Sequence, residues 1–170
     1  MRIYLIGLPG VGKSTLGRRL AKRLKWFFID LDAYIELKAG ERISAIFEKG
    51  ESHFRSIEGN ALRSLPRGRR MVVATGGGVV LREDNIAWMR KTGIVIYLKR
   101  PVQTIMATIN LDYRPLLKNN PDRLLDLEQE RQALYKLAAH LEIDGTHLKN
   151  AVSTIVQEVI HYDDSRDKWS

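Results

Sequence analysis

Gly7-Leu8-Pro9-Gly10-Val11-Gly12-Lys13-Ser14 follows the apolar run Arg2-Ile3-Tyr4-Leu5-Ile6 and precedes a stretch in which Leu16, Leu20 and Leu24 recur every four residues. An apolar strand, a glycine loop and an amphipathic helix therefore succeed one another, and the loop fits G-x-x-x-x-G-K-[ST] without a mismatch. Glycines let the backbone curl around an anion without Cβ clashes. The N–H groups at the helix start then point at that anion, and the helix dipole adds its positive end. In such a cradle Lys13 is expected to reach the β- and γ-phosphate oxygens of ATP. Ser14 is expected to offer its hydroxyl to Mg²⁺, and Gly10, Val11, Gly12 and Thr15 to complete the nucleotide-binding loop.

Outward from this loop the chain alternates strand-like and helix-like segments. The predicted strands are Arg2–Ile6, Trp26–Asp30, Met71–Thr75, Ile94–Leu98 and His140–Asp144. Several are continuous apolar runs, the pattern of parallel strands covered on both faces. Helical spacing is read in Ile43, Ile46 and Phe47, and again in Phe54, Ile57, Ala61 and Leu65. Asn120-Pro121 reads as an N-cap with Pro at the first helical position. It opens a long helix to about Ala139 that carries Leu124, Leu127, Arg131, Leu134 and Leu137. The prediction is an α/β domain, doubly wound, over residues 1–160, with a polar tail over 161–170 that frays.

Composition narrows the function classes. The 170 residues suit one domain, and 44% apolar with 28% charged residues is ordinary for a folded protein. No apolar run approaches the roughly 20 residues of a membrane span, and no secretory leader is read at the start. With no cysteine there is neither a disulfide framework nor a thiolate site, which fits a cytoplasmic location. The net charge of +8 admits a nucleic-acid partner. The basic residues are scattered, however, the densest group being Arg67, Arg69 and Arg70, and no aromatic stacking platform accompanies them. Neither a nucleic-acid nor a membrane partner is expected. The guanine-reading N-K-x-D and the switch D-x-x-G of GTPases are both absent.

A second acidic centre follows the second strand. Trp26-Phe27-Phe28-Ile29-Asp30-Leu31-Asp32 ends in two carboxylates. Read as strand residues two apart, they point to one side, toward the crevice beyond the strand ends where ligands of open α/β sheets bind. One carboxylate could hold Mg²⁺ through water while the other orients an acceptor hydroxyl and takes its proton. Equally, Asp32 could be a helix N-cap for Ala33–Ala39. Gly76-Gly77-Gly78 after the third strand leaves bare backbone for a ligand or forms a tight turn. Arg55, Arg114 and Arg131 are candidate anion forks, although a single arginine is more often a solvated surface residue.

Taken in order, G-x-x-x-x-G-K-S-T, D-x-D, F-R-x-x-E (Phe54 to Glu58), G-G-G, R-P-L-L (from Arg114) and R-x-x-L-Y (from Arg131) resemble shikimate kinase over nearly the whole length. The resemblance implies a three-layer α/β/α P-loop fold, like that of nucleoside-monophosphate kinases, with a five-stranded parallel sheet. Substrate-binding helices would lie at about 32–62 and a lid at about 108–120. It implies transfer of the ATP γ-phosphate to the 3-hydroxyl of shikimate, on the route to chorismate and aromatic amino acids, by a cytoplasmic monomer. By the same resemblance Asp32 binds the ring hydroxyls and is the candidate base, Arg55 and Arg131 grip the substrate carboxylate, and the backbone of Gly77 contacts shikimate. Asp30 lies near Mg²⁺, and Arg114 belongs to the lid and joins Lys13 in neutralising charge. Glu58 is placed to steady Arg55 from one turn away. One departure is Ala107, seven residues before Arg114, where many members carry an arginine against the adenine. His147 is the alternative candidate for that contact. The rival readings are a kinase of the same fold acting on another hydroxylated acid such as gluconate, and a nucleotide-dependent binding protein.

Overall fold

The sheet has five parallel strands in the order β2-β3-β1-β4-β5. They are β1 Arg2–Ile6, β2 Phe27–Asp30, β3 Met71–Ala74, β4 Ile94–Lys99 and β5 Leu141–Asp144, each within a residue of the sequence expectation. The computed structural model describes residues 1–108 and 123–167, with side chains through His161. The N-cap expected at Asn120-Pro121 and the R-P-L-L segment with Arg114 lie outside the described residues.

Between the strands run α1 Lys13–Leu24, α2 Leu31–Ala39, α3 Ile43–Glu48, α4 Glu51–Arg63, α5 Glu83–Thr92, α6 Val102–Thr108, α7 Arg123–Ala138 and α8 Leu148–Asp167. All of β1 and β3 is buried, so helices cover both faces. Helix α1 packs on β3 and α8, while α5 and α7 pack on β4. The core joins Ile3, Leu5 and Ile6 of β1 to Val72, Val95 and Ile96 of its neighbours, and to Leu16 and Leu20 of α1. Register is carried past β3 by Thr75, whose N–H and hydroxyl both donate to the Leu5 carbonyl, at 3.1 and 2.9 Å.

Three local expectations change. Helix α2 starts at Leu31, so its N-cap is Asp30, whose Oδ1 accepts from the Ala33 N–H at 3.5 Å. Asp32 is neither a strand residue nor the cap, but sits in the first helical turn. On α7 the buried positions are Leu124, Leu127, Tyr135 and Ala138, whereas Leu137 is 66% exposed. The 3.6-residue period passes through Tyr135 and skips Leu137. The tail expected from residue 161 is helical through Asp167, since no glycine or proline follows Gly145 to stop the helix.

The order of the strands places the site. β1 lies at the centre, and the C-terminal ends of all five strands face one crevice. At those ends lie the cradle after β1, Asp30 as the last residue of β2 and the glycine run after β3.

Candidate active site

The cradle is built as its sequence requires. Gly7, Gly10 and Gly12 hold φ of 138°, 80° and 106°, which side-chain-bearing residues rarely adopt. At Gly7 a Cβ would also lie 2.5 Å from the Leu98 carbonyl oxygen, so the loop leaves β1 pressed against β4. Gly12 caps α1 without a side-chain hydrogen bond, and N–H groups at a helix start favour an anion beside them. The buried Lys13 ammonium donates to the Gly7 and Leu8 carbonyls at 2.8 Å each, which holds its charge across the mouth of the cradle. Thr15 is exposed on the first turn beside it.

Ser14 follows on the same turn, and its hydroxyl donates to Asp30 Oδ2 at 2.6 Å. A hydroxyl and a carboxylate thus meet beside the phosphate site, both hard oxygen donors. Among the described residues no three acidic, histidine or cysteine side chains gather as a metal cage. Mg²⁺ needs none, because it keeps several waters and leans on one or two protein oxygens and the substrate phosphates. Ser14 and Asp30 fit that requirement.

The other side of the crevice is organised by the glycine run. A Cβ on Gly76 would lie 3.0 Å from Asp32 Oδ1 and 3.1 Å from Glu58 Oε1. One on Gly77 would lie 2.9 Å from the Pro9 ring, and one on Gly78 would lie 2.5 Å from the Arg55 guanidinium carbon. Each glycine therefore admits a different element: the acidic pair, the phosphate loop and the arginine. Arg55 is fixed on both flanks, by Glu58 Oε2 at 3.0 Å and by Glu51 Oε1 at 2.9 Å, with the Phe54 ring 5.0 Å from its guanidinium carbon. Glu58 is fully buried, and its second oxygen accepts no hydrogen bond from the described residues. Burial raises its pKa above the ordinary carboxyl value and the Asp32 charge adds to that, while Arg55 pulls the other way.

Arg131 reaches the site from α7. It acts electrostatically on both Glu58 and Tyr135, and its buried Nε has no hydrogen-bond partner among the described residues. One turn later the Tyr135 hydroxyl donates to the Gly77 carbonyl at 2.6 Å, and its ring stacks on Tyr97 with centroids 5.0 Å apart. Burial pushes the Tyr135 phenol far above its usual value, against the pull of Arg131. The sequence expectation assigned no individual role to Tyr135 or Pro9, and it read Gly76 and Gly78 only as part of a bare-backbone run. A signal for Tyr135 was present in its i+4 spacing from Arg131.

Beside the cradle a cleft of about 490 Å³ runs from Leu8 and Val11 past Arg100 to Gln132 on α7 and Thr146 after β5. It adjoins the phosphate site rather than the acidic pair. His147 is exposed beyond its lining, and Ala107 is exposed on α6, so neither stands in it. The structure thus brings Lys13, Ser14, Asp30, Asp32, Arg55, Gly77 and Arg131 to one crevice. Arg114 lies outside the described residues.

Known proteins share this chain's sequence and fold. The family model described as shikimate kinase matches residues 9–162. The shikimate kinase of Clostridium botulinum (strain Eklund 17B / Type B) is 42% identical over 161 residues, covering 94% of this chain and 98% of the relative. That of Paracidovorax citrulli is 44% identical over 165 residues, covering 94% and 90%. Among solved structures, the shikimate kinase of Acinetobacter baumannii in complex with shikimate superposes with a TM-score of 0.87 at 38% identity, over 95% of this chain and 93% of that one. The enzyme from Aquifex aeolicus gives a TM-score of 0.82 at 32% identity, over 96% and 98%. With a strand-ending phosphate cradle on one side of the crevice and an arginine-lined acidic pocket on the other, this chain belongs to the shikimate kinase family.

Proposed function

We propose that this chain transfers the γ-phosphate of ATP to the 3-hydroxyl of shikimate, giving shikimate 3-phosphate and ADP. The observation that carries the reading is the glycine run. Within three residues it seats Asp32 and Glu58 at Gly76, the phosphate loop at Gly77 and Arg55 at Gly78, with Arg131 and Tyr135 approaching from α7. A carboxylate beside two arginines suits a small molecule that carries one carboxylate and several hydroxyls.

In this reading Arg55 and Arg131 bind the substrate carboxylate, and the Gly77 backbone lies along the ring. Asp32 accepts a hydrogen bond from the reacting hydroxyl and takes its proton as the oxygen–phosphorus bond forms and ADP leaves. Lys13 stabilises negative charge on the transferring group. Ser14 and, through water, Asp30 would hold Mg²⁺, which when bound neutralises phosphate charge. Arg114 is proposed to act from a lid at about 108–120 that excludes water. Glu58 aligns Arg55, and its paired oxygen at 3.0 Å supports that part. The proposed setting is the cytoplasm, which the cysteine-free composition suits, and the proposed working form is a monomer.

The test is ADP release from Mg-ATP with shikimate, gluconate, a nucleoside monophosphate or no acceptor, with product mass measured in parallel. Release with shikimate alone, matched by shikimate 3-phosphate, is expected. Turnover with another acceptor and silence with shikimate would discard the substrate and keep the kinase. The Arg131→Ala variant should raise the KM for shikimate at least tenfold and leave that for ATP within about twofold.

A further inference from the structure

Arg2 is a cation with 8% exposure at the start of β1, and its hydrogen-bond partners are all neutral. Its NH1 donates to the Tyr4 hydroxyl at 3.3 Å, and its NH2 donates to the Leu65 and Pro66 carbonyls at 3.1 Å each. Buried charges are ordinarily paired, because dipoles alone recover only part of the lost hydration. Two more arginines flank the same space from the loop between α4 and β3. Arg67 makes no ion pair with the described residues, and Arg69 makes only a cation–π contact, 4.8 Å over Phe27. With Trp88 and Thr92 of α5 the three arginines line a pocket of about 300 Å³, and no described acidic residue is part of the lining. This pocket lies at the N-terminal ends of the strands. The five residues of β1 separate it from the cradle, about 16 Å at the usual rise of a strand.

We propose that this pocket is a second anion site. It would take a small organic molecule bearing two or more oxyanion groups, phosphate or carboxylate, with its body against Trp88. Arginine forks bind both groups in bidentate fashion, and the bound anion supplies the counter-charge that the Arg2 surroundings lack. The volume is at the lower end of small-molecule sites, which suits a metabolite-sized ligand. Affinity should fall with added salt, and less for contacts to the buried Arg2 than for those to the exposed loop arginines.

The experiment is titration of the full chain with inorganic pyrophosphate and with citrate, each in the presence of saturating Mg-ADP, followed by calorimetry and tryptophan fluorescence. Saturable binding that persists with the cradle filled, and that weakens at least tenfold in Arg67→Ala/Arg69→Ala, is the expected result. Binding of pyrophosphate only points to a phosphate ester, and of citrate only to a polycarboxylate, and both outcomes uphold the site. Loss of binding when ADP is added, equal binding by the double variant, or no saturation with either probe would overturn it. Capture of a single-stranded oligonucleotide in place of both small anions would overturn it as well.

Discussion

Gly78 and Arg55 occupy space that a single methyl group would contest. Because a Cβ on Gly78 would lie 2.5 Å from the guanidinium carbon, Gly78→Ala must displace the arginine from its seat between Glu51 and Glu58. The backbone at Gly78 has φ of −102°, so alanine brings no conformational strain of its own. We expect circular dichroism to remain that of the folded protein while the KM for shikimate rises at least tenfold and that for ATP stays within about twofold. Equal changes in both constants would remove Arg55 from the acceptor pocket. The pairing of Arg55 with Glu58 was legible in F-R-x-x-E. Its dependence on Gly78 was not, because nothing in a one-dimensional pattern says which glycine in G-G-G a residue more than twenty positions away will touch. Asp30 and Asp32 carry a similar lesson. Two carboxylates after an apolar run were read as strand residues on one side, but the turn into α2 between them gave the cap to Asp30 and moved Asp32 onto a helix.

At the scale of elements, α7 is latched to the glycine loop by one hydrogen bond. Tyr135→Phe keeps the stacking on Tyr97 but leaves the Gly77 carbonyl without its 2.6 Å donor. An unsatisfied buried acceptor costs about 1–3 kcal/mol, and the part-buried Gly77 carbonyl should cost less. If the latch aligns Arg131 and the Gly77 backbone, steady-state kinetics should show a KM for shikimate raised more than that for ATP, and thermal melting should show a modest loss of stability. A variant that only melts earlier, with both constants unchanged, would leave Tyr135 a packing residue. A second junction joins β4 to the start of β5, where His140 Nδ1 accepts from the Val95 N–H at 3.0 Å and its own N–H donates to the Val95 carbonyl at 2.8 Å. Burial and the nearby Arg90 lower the pKa of His140. The unfolded chain therefore binds the proton more readily, so stability is full above the unfolded value of about 6.5 and falls as pH drops through it toward the lower folded value. Denaturant titrations between pH 7.5 and about 5 should show that loss, and His140→Asn, which retains an acceptor, should flatten it. The strand cores were readable from their apolar runs because strands covered on both faces carry that signature. The residues named along α7 did not by themselves give its buried stripe, because Leu137 is apolar yet exposed while the polar-tipped Tyr135 is buried.

For the whole molecule, ligand binding should register as stability. The cradle joins β1, α1 and β4, and a nucleotide that binds only the folded chain stabilises it by about 2.7 kcal/mol at a hundred times its Kd. In a protein of this size that is a rise in Tm of about 5–10 °C. Scanning calorimetry with Mg-ADP checks it, and Lys13→Ala should abolish most of the shift. The sheet order itself was not readable from sequence beyond parallel strands in alternation. It depends on which strand edges meet, and those contacts are far apart along the chain. β1 pairs residues 2–5 with 71–74 on one side and residues 3–6 with 94–97 on the other. That pairing has a consequence for the birth of the protein. The nucleotide loop precedes both strands that flank β1, so the strand that aims it has no neighbours until residues near 74 and 97 have left the ribosome. Synthesis therefore makes the loop well before the strands that hold it, and during that interval β1 is an apolar strand with two open edges, the kind of segment that pairs with other chains.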